Sequence, residues 1–331
     1  MPCYNAAGTL PEALESLSRQ TLTDFEVLTV DDGSTDETGD LLRAAASQDE
    51  RFRVLRQPHG GIISALNTGL DACCAPYVAR MDADDRSHPQ RLARQVAFLD
   101  SHPDVSVVGC LVEGFPAGQV RQGFRLYLDW MNSLLTGEDI CREIFVESPL
   151  AHPSVAFRKD RVLDAGGYQE RGWAEDYDLW LRLYLAGRRF AKLPEVLFEW
   201  REHPERLTRT DGRYSLENFL RLKAYYLSQG PLAGREAVVI WGAGMMGRRL
   251  SKQLCRQGVP LVAFIDVDPQ KIGRTRRGLP VLPADALPEL LGRFHRPVVL
   301  AAVGARGARQ LIRRQLNSLG LLEGVDWWSA A

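Results

Sequence analysis

Two carboxylates, Asp82 and Asp84, lie in the segment MDADD, directly after the apolar stretch Tyr77 to Met81. In open α/β sheets, ligands bind at the carboxyl ends of strands, so this position suits a binding site. Alternate residues of an extended segment point the same way, and the two carboxylates would then converge. Two carboxylates at this spacing suit a hard divalent cation, Mg²⁺ or Mn²⁺, that also takes phosphate oxygens. The alternative is an acidic turn in which one Asp caps the helix that opens near Pro89.

Four other stretches accompany MDADD along the chain. They read MPCYN from Met1, DDGSTD from Asp31, GIISALNTGL from Gly61 and WAEDYDLWLRL from Trp173. Taken one at a time, each has a structural alternative, respectively a turn, a helix N-cap, helix packing and an ordinary amphipathic helix. The order in which all five follow one another is harder to obtain by chance, and it favours a shared site.

The elements that must position these residues alternate between short apolar strands and amphipathic helices, the pattern of a parallel sheet with helical crossovers. The predicted strands are Phe25 to Val30, Phe52 to Leu55, Tyr77 to Met81 and Val105 to Val112. The predicted helices are Pro11 to Ser18, Thr35 to Ala46, Ile63 to Ala72 and Pro89 to Leu99. Residues 113–140 are the least patterned part, and we interpret them as an insertion over one face of the sheet.

The length and composition of the chain limit its class. A chain of 331 residues favours two domains, and the turn-forming residues 229–236 are the predicted linker between residues 1–228 and 237–331. A net charge of -1, with basic residues spread along the chain, argues against nucleic-acid binding. The six cysteines form no paired CxxC motif, which fits a reduced, cytoplasmic compartment better than a zinc site or disulfides. No apolar run reaches the roughly 18 residues of a membrane span, which leaves peripheral association with the inner face of a membrane open.

The predicted second domain opens with the apolar strand Ala237 to Trp241 and a glycine turn that contains Gly242, Gly244 and Gly247. A later strand ends at Asp266, at the spacing of a ribose-binding acid, and this context is typical of a dinucleotide-type Rossmann half. The remaining length holds no separate catalytic half of the kind that a dehydrogenase needs. The two alternatives for this domain are binding of a nucleotide or dinucleotide and a structural or assembly role.

The chain from Met1 to about Arg209 resembles the inverting family 2 glycosyltransferases of GT-A fold. The resemblance is carried by PCYNA, QTLTDFEVLTVDDGSTDET, GIISALNTGL, RMDADDRSHPQRL, AHPSVAF and GGYQERGWAEDYDLWLRL, in this order. A later segment, FIDVDPQKIGRTRRGLPVL from Phe264, is similar to the small Rossmann-like domains of bacterial polysaccharide-synthesis proteins. The expected fold class is therefore α/β, with a GT-A type nucleotide-diphospho-sugar transferase domain followed by a small Rossmann-like α/β domain.

This resemblance implies a donor site built from the first two stretches. Pro2 and Tyr4 would line the pocket of the nucleotide base, with Asn5 as a further donor-binding residue. Asp32, with Asp31 as its neighbour, would hydrogen-bond the base. The residue types suit these roles, because a carboxylate can accept a base N–H and a tyrosine ring offers a stacking face. The alternative for the two Asp residues is turn and cap chemistry.

The same resemblance implies the reacting groups. Asp84 would bind the divalent metal, Mn²⁺ or Mg²⁺, with Asp82 beside the metal or the ribose and His203 as a third ligand. Asp176 would be the general base that takes the proton of an acceptor hydroxyl, and Glu175 would bind the acceptor or fix the loop. Asp176 and Glu175 could alternatively serve only as favourable negative charges at a helix N-terminus. The alternative for His203 is a histidine in a surface loop.

The predicted function is transfer of a sugar, with inversion, from a nucleotide-diphospho-sugar to an acceptor hydroxyl. The expected donor is a UDP-sugar, and the expected acceptor is a saccharide or a lipid-linked saccharide in bacterial surface polysaccharide or glycoconjugate synthesis. The alternative is a catalytically inactive, transferase-like scaffold or a nucleotide-binding protein.

The sequence departs from the family pattern at two places. Family members carry an apolar strand before the PCYN turn, whereas this sequence opens at Met1, so we expect either that the first central strand is missing or that the start was assigned too late. Many members also have Arg before the Asn of the glycine-led helix, where this chain has Leu66 before Asn67. A phosphate contact from that position is therefore not expected.

Overall fold

The computed structural model describes residues 1–331, and the chain divides into two compact units. The first unit contains Met1–Ile140, Pro149–Arg171 and Glu175–Thr210. The second unit contains Cys141–Ser148, Gly172–Ala174 and Asp211–Ala331. Residues 229–236 connect a helix of the second unit to the first strand of its sheet. The domain boundary that the composition places at this segment stays a prediction.

The strands of the first unit form two sheets. They are β1 (Pro2–Cys3), β2 (Val27–Asp31), β3 (Phe52–Arg56), β4 (Tyr77–Ala79), β5 (Arg86–Ser87), β6 (Val105–Phe115), β7 (Ala156–Arg158) and β8 (Arg189–Arg201). A parallel sheet has the order β1-β2-β3, and a mixed sheet has the order β4-β7-β6-β8-β5. The predicted all-parallel sheet is therefore only part of the architecture, because β5 and β7 pair antiparallel with their neighbours. The strands β5 and β7 have two and three residues, too few for alternation to show in the sequence.

The helices between these strands include the four that periodicity predicts. They are α1 (Leu10–Ser18), α2 (Thr38–Gln48), α3 (Gly61–Ala72), α4 (Arg91–Ser101), α5 (Gln122–Ser133), α6 (Gly137–Glu143), α7 (Lys159–Asp164), α8 (Glu175–Leu185) and α9 (Leu207–Thr210). The apolar stripe of α1 explains its position, because Leu10, Leu14 and Leu17 are buried in the same core as Val27 of β2. Burial of this stripe is the main source of stability for such a short helix.

Residues 113–140 contain the end of β6, all of α5 and the start of α6, so this part is more regular than its sequence pattern. The interpretation of these residues as an insertion over one face of the sheet stays a prediction. Helix α5 packs against β6, and the side chain of Asn132 exchanges two hydrogen bonds with the backbone of Val112, at 3.0 and 2.7 Å. Leu128 and Met131 are buried at a helical spacing of three. The glycine and aromatic residues around them hide this period in the sequence.

A cavity of about 640 Å³ lies between two strand edges of the first unit. It is lined by residues 27–28 of β2 on one edge and by residues 77–79 of β4 on the other. Only the two residues of β1 pair with β2 on this side, and β4 pairs only with β7. The amine of Met1 is buried at this cavity and donates to the carbonyl of Leu28 at 2.7 Å, and burial lowers its pKa. The family resemblance predicts an apolar strand before Pro2, and that strand stays a prediction.

The second unit holds one six-stranded sheet. Its strands are β9 (Ala237–Trp241), β10 (Leu261–Ile265), β11 (Thr275–Arg276), β12 (Leu279–Leu282), β13 (Pro297–Ala301) and β14 (Trp327–Ser329), in the order β11-β12-β10-β9-β13-β14. All neighbours pair in parallel except β11 with β12. Its helices are α10 (Leu216–Gln229), α11 (Met245–Arg256), α12 (Leu287–Leu291) and α13 (Ala308–Ser318). None of the helices in the chain combines the length and the apolar character that crossing a bilayer requires.

Candidate active site

The acidic turn after β4 brings three carboxylates together. One oxygen from each of Asp82, Asp84 and Asp85 lies within 4.8 Å of the others. Asp85 is buried, and the other two are half-buried. The sequence predicts a strand that continues through Met81, but β4 ends at Ala79 and the carboxylates lie in a turn. In an extended strand the side chain of Asp85 would point away from those of Asp82 and Asp84. The turn instead brings all three carboxylates together.

Each of the three carboxylates has a different partner in the protein. Asp82 forms an ion pair with the buried guanidinium of Arg80. Asp84 Oδ2 lies 2.8 Å from Nε2 of His203. Asp85 Oδ1 accepts the backbone N–H of the last residue of β8 at 2.7 Å, whereas its Oδ2 is buried without a hydrogen-bond partner. Contacts with β8 and with the segment after it therefore hold the turn in place.

The electrostatics of this turn fit a bound cation. Burial raises the pKa of Asp82, and repulsion from Asp84 adds to the effect against the attraction of Arg80. Burial and the same kind of repulsion raise the pKa of Asp85 well above its ordinary value. Burial acts in the same direction on Asp84, but the hydrogen bond and charge of His203 outweigh it and lower the pKa. Clustered, mutually repelling oxygens, one of them buried without a partner, are the donor set that a hard divalent cation requires.

Glu175 and Asp176 lie at the start of α8, where the sequence pattern places them. Glu175 is buried, and the half-buried Asp176 accepts the backbone N–H of Tyr177 at 2.7 Å. Burial, together with the charge of Glu175, raises the pKa of Asp176 to about 7. Arg80 opposes this shift, so one buried guanidinium acts on both Asp176 and Asp82. A carboxylate that titrates near neutrality has the basicity that a general base needs.

The loop after β1 presents an aromatic face. Tyr4 is 48% exposed, and its ring stacks on His59 with centroids 4.0 Å apart. The backbone of Asn5 is left-handed, with φ of 48°, and its side chain accepts the N–H of Thr35 at 2.9 Å. Pro2 lies in β1 beside this loop. His59 is a candidate stacking residue that sequence reasoning missed, because only the fold brings it to Tyr4.

The two Asp residues of the DDGS turn are buried and bound to the protein's own groups. Asp32 accepts the two backbone N–H groups of the glycine pair at the start of α3, at 2.9 and 2.8 Å, and the amide of Gln57 at 2.6 Å. Asp31 accepts the N–H of Ser34 at 2.9 Å. Asp31 therefore shapes the DDGS turn, whereas Asp32 joins the turn to the start of α3. A hydrogen bond from Asp32 to a base stays a prediction.

In the second unit the glycine turn and the acid after β10 lie together. Gly242 has φ of +118°, and a Cβ added to Gly247 would stand 1.8 Å from the Gly242 carbonyl oxygen, so the close approach of α11 to the turn requires glycine. The carboxylate of Asp266 accepts a backbone N–H of the turn at 2.8 Å and lies 3.4 Å from Nζ of Lys271. The role of these residues in binding a nucleotide or dinucleotide stays a prediction.

Comparison with known proteins identifies the family. Residues 1–166, half of the chain, match the family model described as Glycosyl transferase family 2. The amylovoran biosynthesis glycosyltransferase AmsE of Erwinia amylovora is 35% identical over 207 residues, which are 61% of this chain and 74% of that protein. The UDP-Gal:alpha-D-GlcNAc-diphosphoundecaprenol beta-1,3-galactosyltransferase of Escherichia coli is 29% identical over 219 residues, or 66% of this chain and 76% of that protein.

The fold has a counterpart among solved structures. S. aureus TarS 1–349 in complex with UDP-GlcNAc matches with a TM-score of 0.56 and 22% identity, over 77% of this chain and 70% of that one. At this identity the likeness shows the fold alone, an α/β fold of GT-A type. The chain belongs to glycosyl transferase family 2. It is a glycosyltransferase, and the α/β fold of GT-A type and the glycosyltransferase reaction predicted from the sequence are confirmed. The Rossmann-like character of the second domain stays a prediction.

Proposed function

We propose that the chain is a metal-dependent glycosyltransferase that moves a sugar, with inversion, from a UDP-sugar to a saccharide or lipid-linked saccharide. The observation that carries the proposal is a pair of carboxylate sites, at Asp82 and at Asp176, that share the charge of the buried Arg80. The acidic turn suits a cation and a diphosphate, and Asp176, with its pKa of about 7, suits removal of an acceptor proton. A scaffold protein has no need of a carboxylate that titrates near neutrality.

The proton transfer is assigned to Asp176. In its ionised form this carboxylate takes the proton of the acceptor hydroxyl, whose oxygen attacks the anomeric carbon of the sugar. The new C–O bond forms as the bond to the diphosphate oxygen breaks, and the electron pair leaves with the nucleoside diphosphate. One displacement from the face opposite the leaving group inverts the configuration. Glu175 contributes its charge, which raises the pKa of Asp176 towards the working pH.

The metal is assigned to the acidic turn. Asp84, Asp82 and His203 would hold Mn²⁺ or Mg²⁺, with the buried oxygen of Asp85 beside them. A bound divalent cation neutralises the charge that develops on a leaving diphosphate. His203 already contacts Asp84, so both side chains are close enough to share one ion.

The donor and acceptor are supported by the names of the relatives. The Escherichia coli protein is described as using UDP-Gal and a GlcNAc-diphosphoundecaprenol, and AmsE is described as an enzyme of amylovoran biosynthesis. On this basis we propose a UDP-sugar and a saccharide acceptor on a lipid diphosphate, in synthesis of a bacterial surface polysaccharide. An acceptor of this kind would place the enzyme at the inner face of the membrane.

A nucleotide-sugar panel tests this proposal. The protein is melted in Mn²⁺ with each of several UDP-, GDP-, ADP- and TDP-sugars, and release of the nucleoside diphosphate is then followed with polyprenyl-diphosphate-linked GlcNAc. We expect a UDP-sugar to raise Tm, because a ligand that binds only the folded state stabilises it, and we expect UDP release that chelator abolishes. Stabilisation by no nucleotide-sugar would favour the scaffold alternative, and full turnover in excess chelator would remove the metal from the proposal.

A further inference from the structure

Arg206 is a buried guanidinium that the proposed mechanism leaves unused. Its side chain is only 8% exposed. Arg206 lies three residues after His203, and its backbone N–H donates to the His203 carbonyl at 3.5 Å. The side chain of His203 contacts Asp84. The positive charge of Arg206 acts on all three carboxylates of the acidic turn. The chain thus places a fixed cation next to the candidate diphosphate site.

The guanidinium of Arg206 is oriented by its neighbours. It lies 4.4 Å from the ring centroid of Trp200 and 4.8 Å from that of Phe124, so two aromatic rings hold it. Nη1 donates to Oε2 of Glu202 at 3.1 Å. Nε and Nη2 donate to no group of the protein, and no carboxylate of the acidic turn forms an ion pair with Arg206. Nη1 of the guanidinium is therefore held by Glu202, whereas Nε and Nη2 are free to donate to a ligand.

The free N–H groups of this largely buried cation are donors that a ligand can use. The geometry of a guanidinium fork matches the oxygens of a phosphate group. We propose that Arg206 binds the β-phosphate of the nucleoside diphosphate, alongside the cation held by the acidic turn. The β-phosphate is favoured over the α-phosphate because Arg206 lies next to His203, and His203 contacts Asp84, the carboxylate assigned first to the metal that would hold the diphosphate. This inference rests on the proposed function of the acidic turn.

Arg209 supplies a matched control. It also forms an ion pair with Glu202, so its loss removes the same charge from the same partner. Its side chain is 26% exposed, however, and its guanidinium stacks on neither aromatic ring. Unlike Arg206, it is not among the charges that most affect the pKa values of the three carboxylates. A substitution at Arg209 therefore reproduces the general effect of a lost arginine without the proposed phosphate contact.

The test compares UDP with UMP, which lacks the β-phosphate. The Kd of each is measured by calorimetry in Mn²⁺ for the wild type, Arg206→Met and Arg209→Met. We expect Arg206→Met to weaken UDP binding by about ten- to a hundredfold, the usual range for a lost hydrogen bond to a charged group, and UMP binding by less than about threefold. Arg209→Met is expected to change both by less than about threefold.

Two outcomes separate this inference from the proposed function. If the wild type binds UDP but Arg206→Met weakens UDP and UMP equally, or weakens neither, Arg206 does not contact the β-phosphate. If the wild type binds neither nucleotide, the donor assignment fails as well, and this inference fails with it. Arg206→Lys keeps the charge but not the planar fork, so it is expected to lose part of the UDP affinity. If Arg206→Met does not give a cooperative melting curve, the UDP and UMP affinities of Arg206→Lys are compared instead.

Discussion

Asp176 is the group on which the proposed proton transfer depends, and its titration gives a quantitative prediction. Its pKa is raised from the usual 3.8 to about 7 by burial and by the charge of Glu175. Because a general base works in its ionised form, about a tenth of the enzyme would be active at pH 6 and about nine-tenths at pH 8. We therefore expect kcat/KM to rise about tenfold per pH unit below 7 and to level off above it.

Two variants separate the base from its neighbour. Asp176→Asn keeps the shape of the side chain and removes the base, so we expect kcat to fall by about 10²- to 10⁴-fold and the pH dependence to flatten. Glu175→Gln removes the repulsion that raises the pKa of Asp176, so the rise in rate should move to lower pH. The assay is the initial rate of UDP release from pH 5 to 9 in saturating Mn²⁺, with melting curves as the control for folding.

Either of two results would refute this reasoning. Asp176→Asn could retain a rate within about tenfold of the wild type, below the loss expected for a removed base. Alternatively, the midpoint of the pH profile could stay the same in Glu175→Gln as in the wild type, which would show that another group titrates.

The raised pKa of Asp176 also makes the free energy of unfolding depend on pH, and it lowers stability over the pH range in which it raises activity. A carboxyl group with a raised pKa binds its proton more tightly in the folded state than in the unfolded state. The free energy of unfolding that comes from Asp176 is therefore greatest below pH 4 and is lost as the pH rises to about 7. Asp176→Asn should accordingly be more resistant to urea than the wild type at pH 8, and equal resistance there would argue against a raised pKa.

Three further predictions follow from the surrounding structure. Asp32→Ala removes the acceptor of three hydrogen bonds, so the free energy of unfolding in urea should fall by about 2–4 kcal/mol, against less than about 0.5 kcal/mol for the exposed Asp40→Ala. His203→Gln should reduce the rise in Tm that Mn²⁺ produces while changing the metal-free unfolding free energy by less than about 1 kcal/mol; an unchanged response to Mn²⁺ would remove His203 from the metal site. Five apolar, β-forming residues fused before Met1 should enter the cavity and raise Tm, whereas a Gly-Ser extension of equal length should not, and equal effects would mean that the cavity does not take a strand.

The sequence predicted the parts of the site that follow local rules. Asp82 and Asp84 were found because they come directly after an apolar strand, and Asp176 because it opens a helix with a regular apolar stripe. These signals lie within a few residues of the side chains concerned. The positions of β2, β3 and α1 to α4 were predictable for the same reason, since periodicity is a local property.

The rest of the site depends on long-range contacts. In the sequence Arg206 is a basic residue in a polar segment with no local pattern. Only the fold packs it against Phe124 and Trp200 and brings its charge to the acidic turn. His59 likewise gains meaning only through its stack on Tyr4. The antiparallel pairing of β5 and β7 was equally hidden, because strands this short carry no usable alternation.

The most direct test of the central claim is the affinity of UDP with and without a divalent cation. The claim is that the acidic turn holds a cation, which in turn holds the diphosphate. Calorimetry in Mn²⁺ should give the wild type a Kd for UDP at least about tenfold lower than in excess chelator, the size of one added charge-assisted contact, and Asp84→Asn should abolish this difference. Equal UDP affinity in Mn²⁺ and in chelator for the wild type, or an Asp84→Asn variant that keeps the full metal effect, would contradict it.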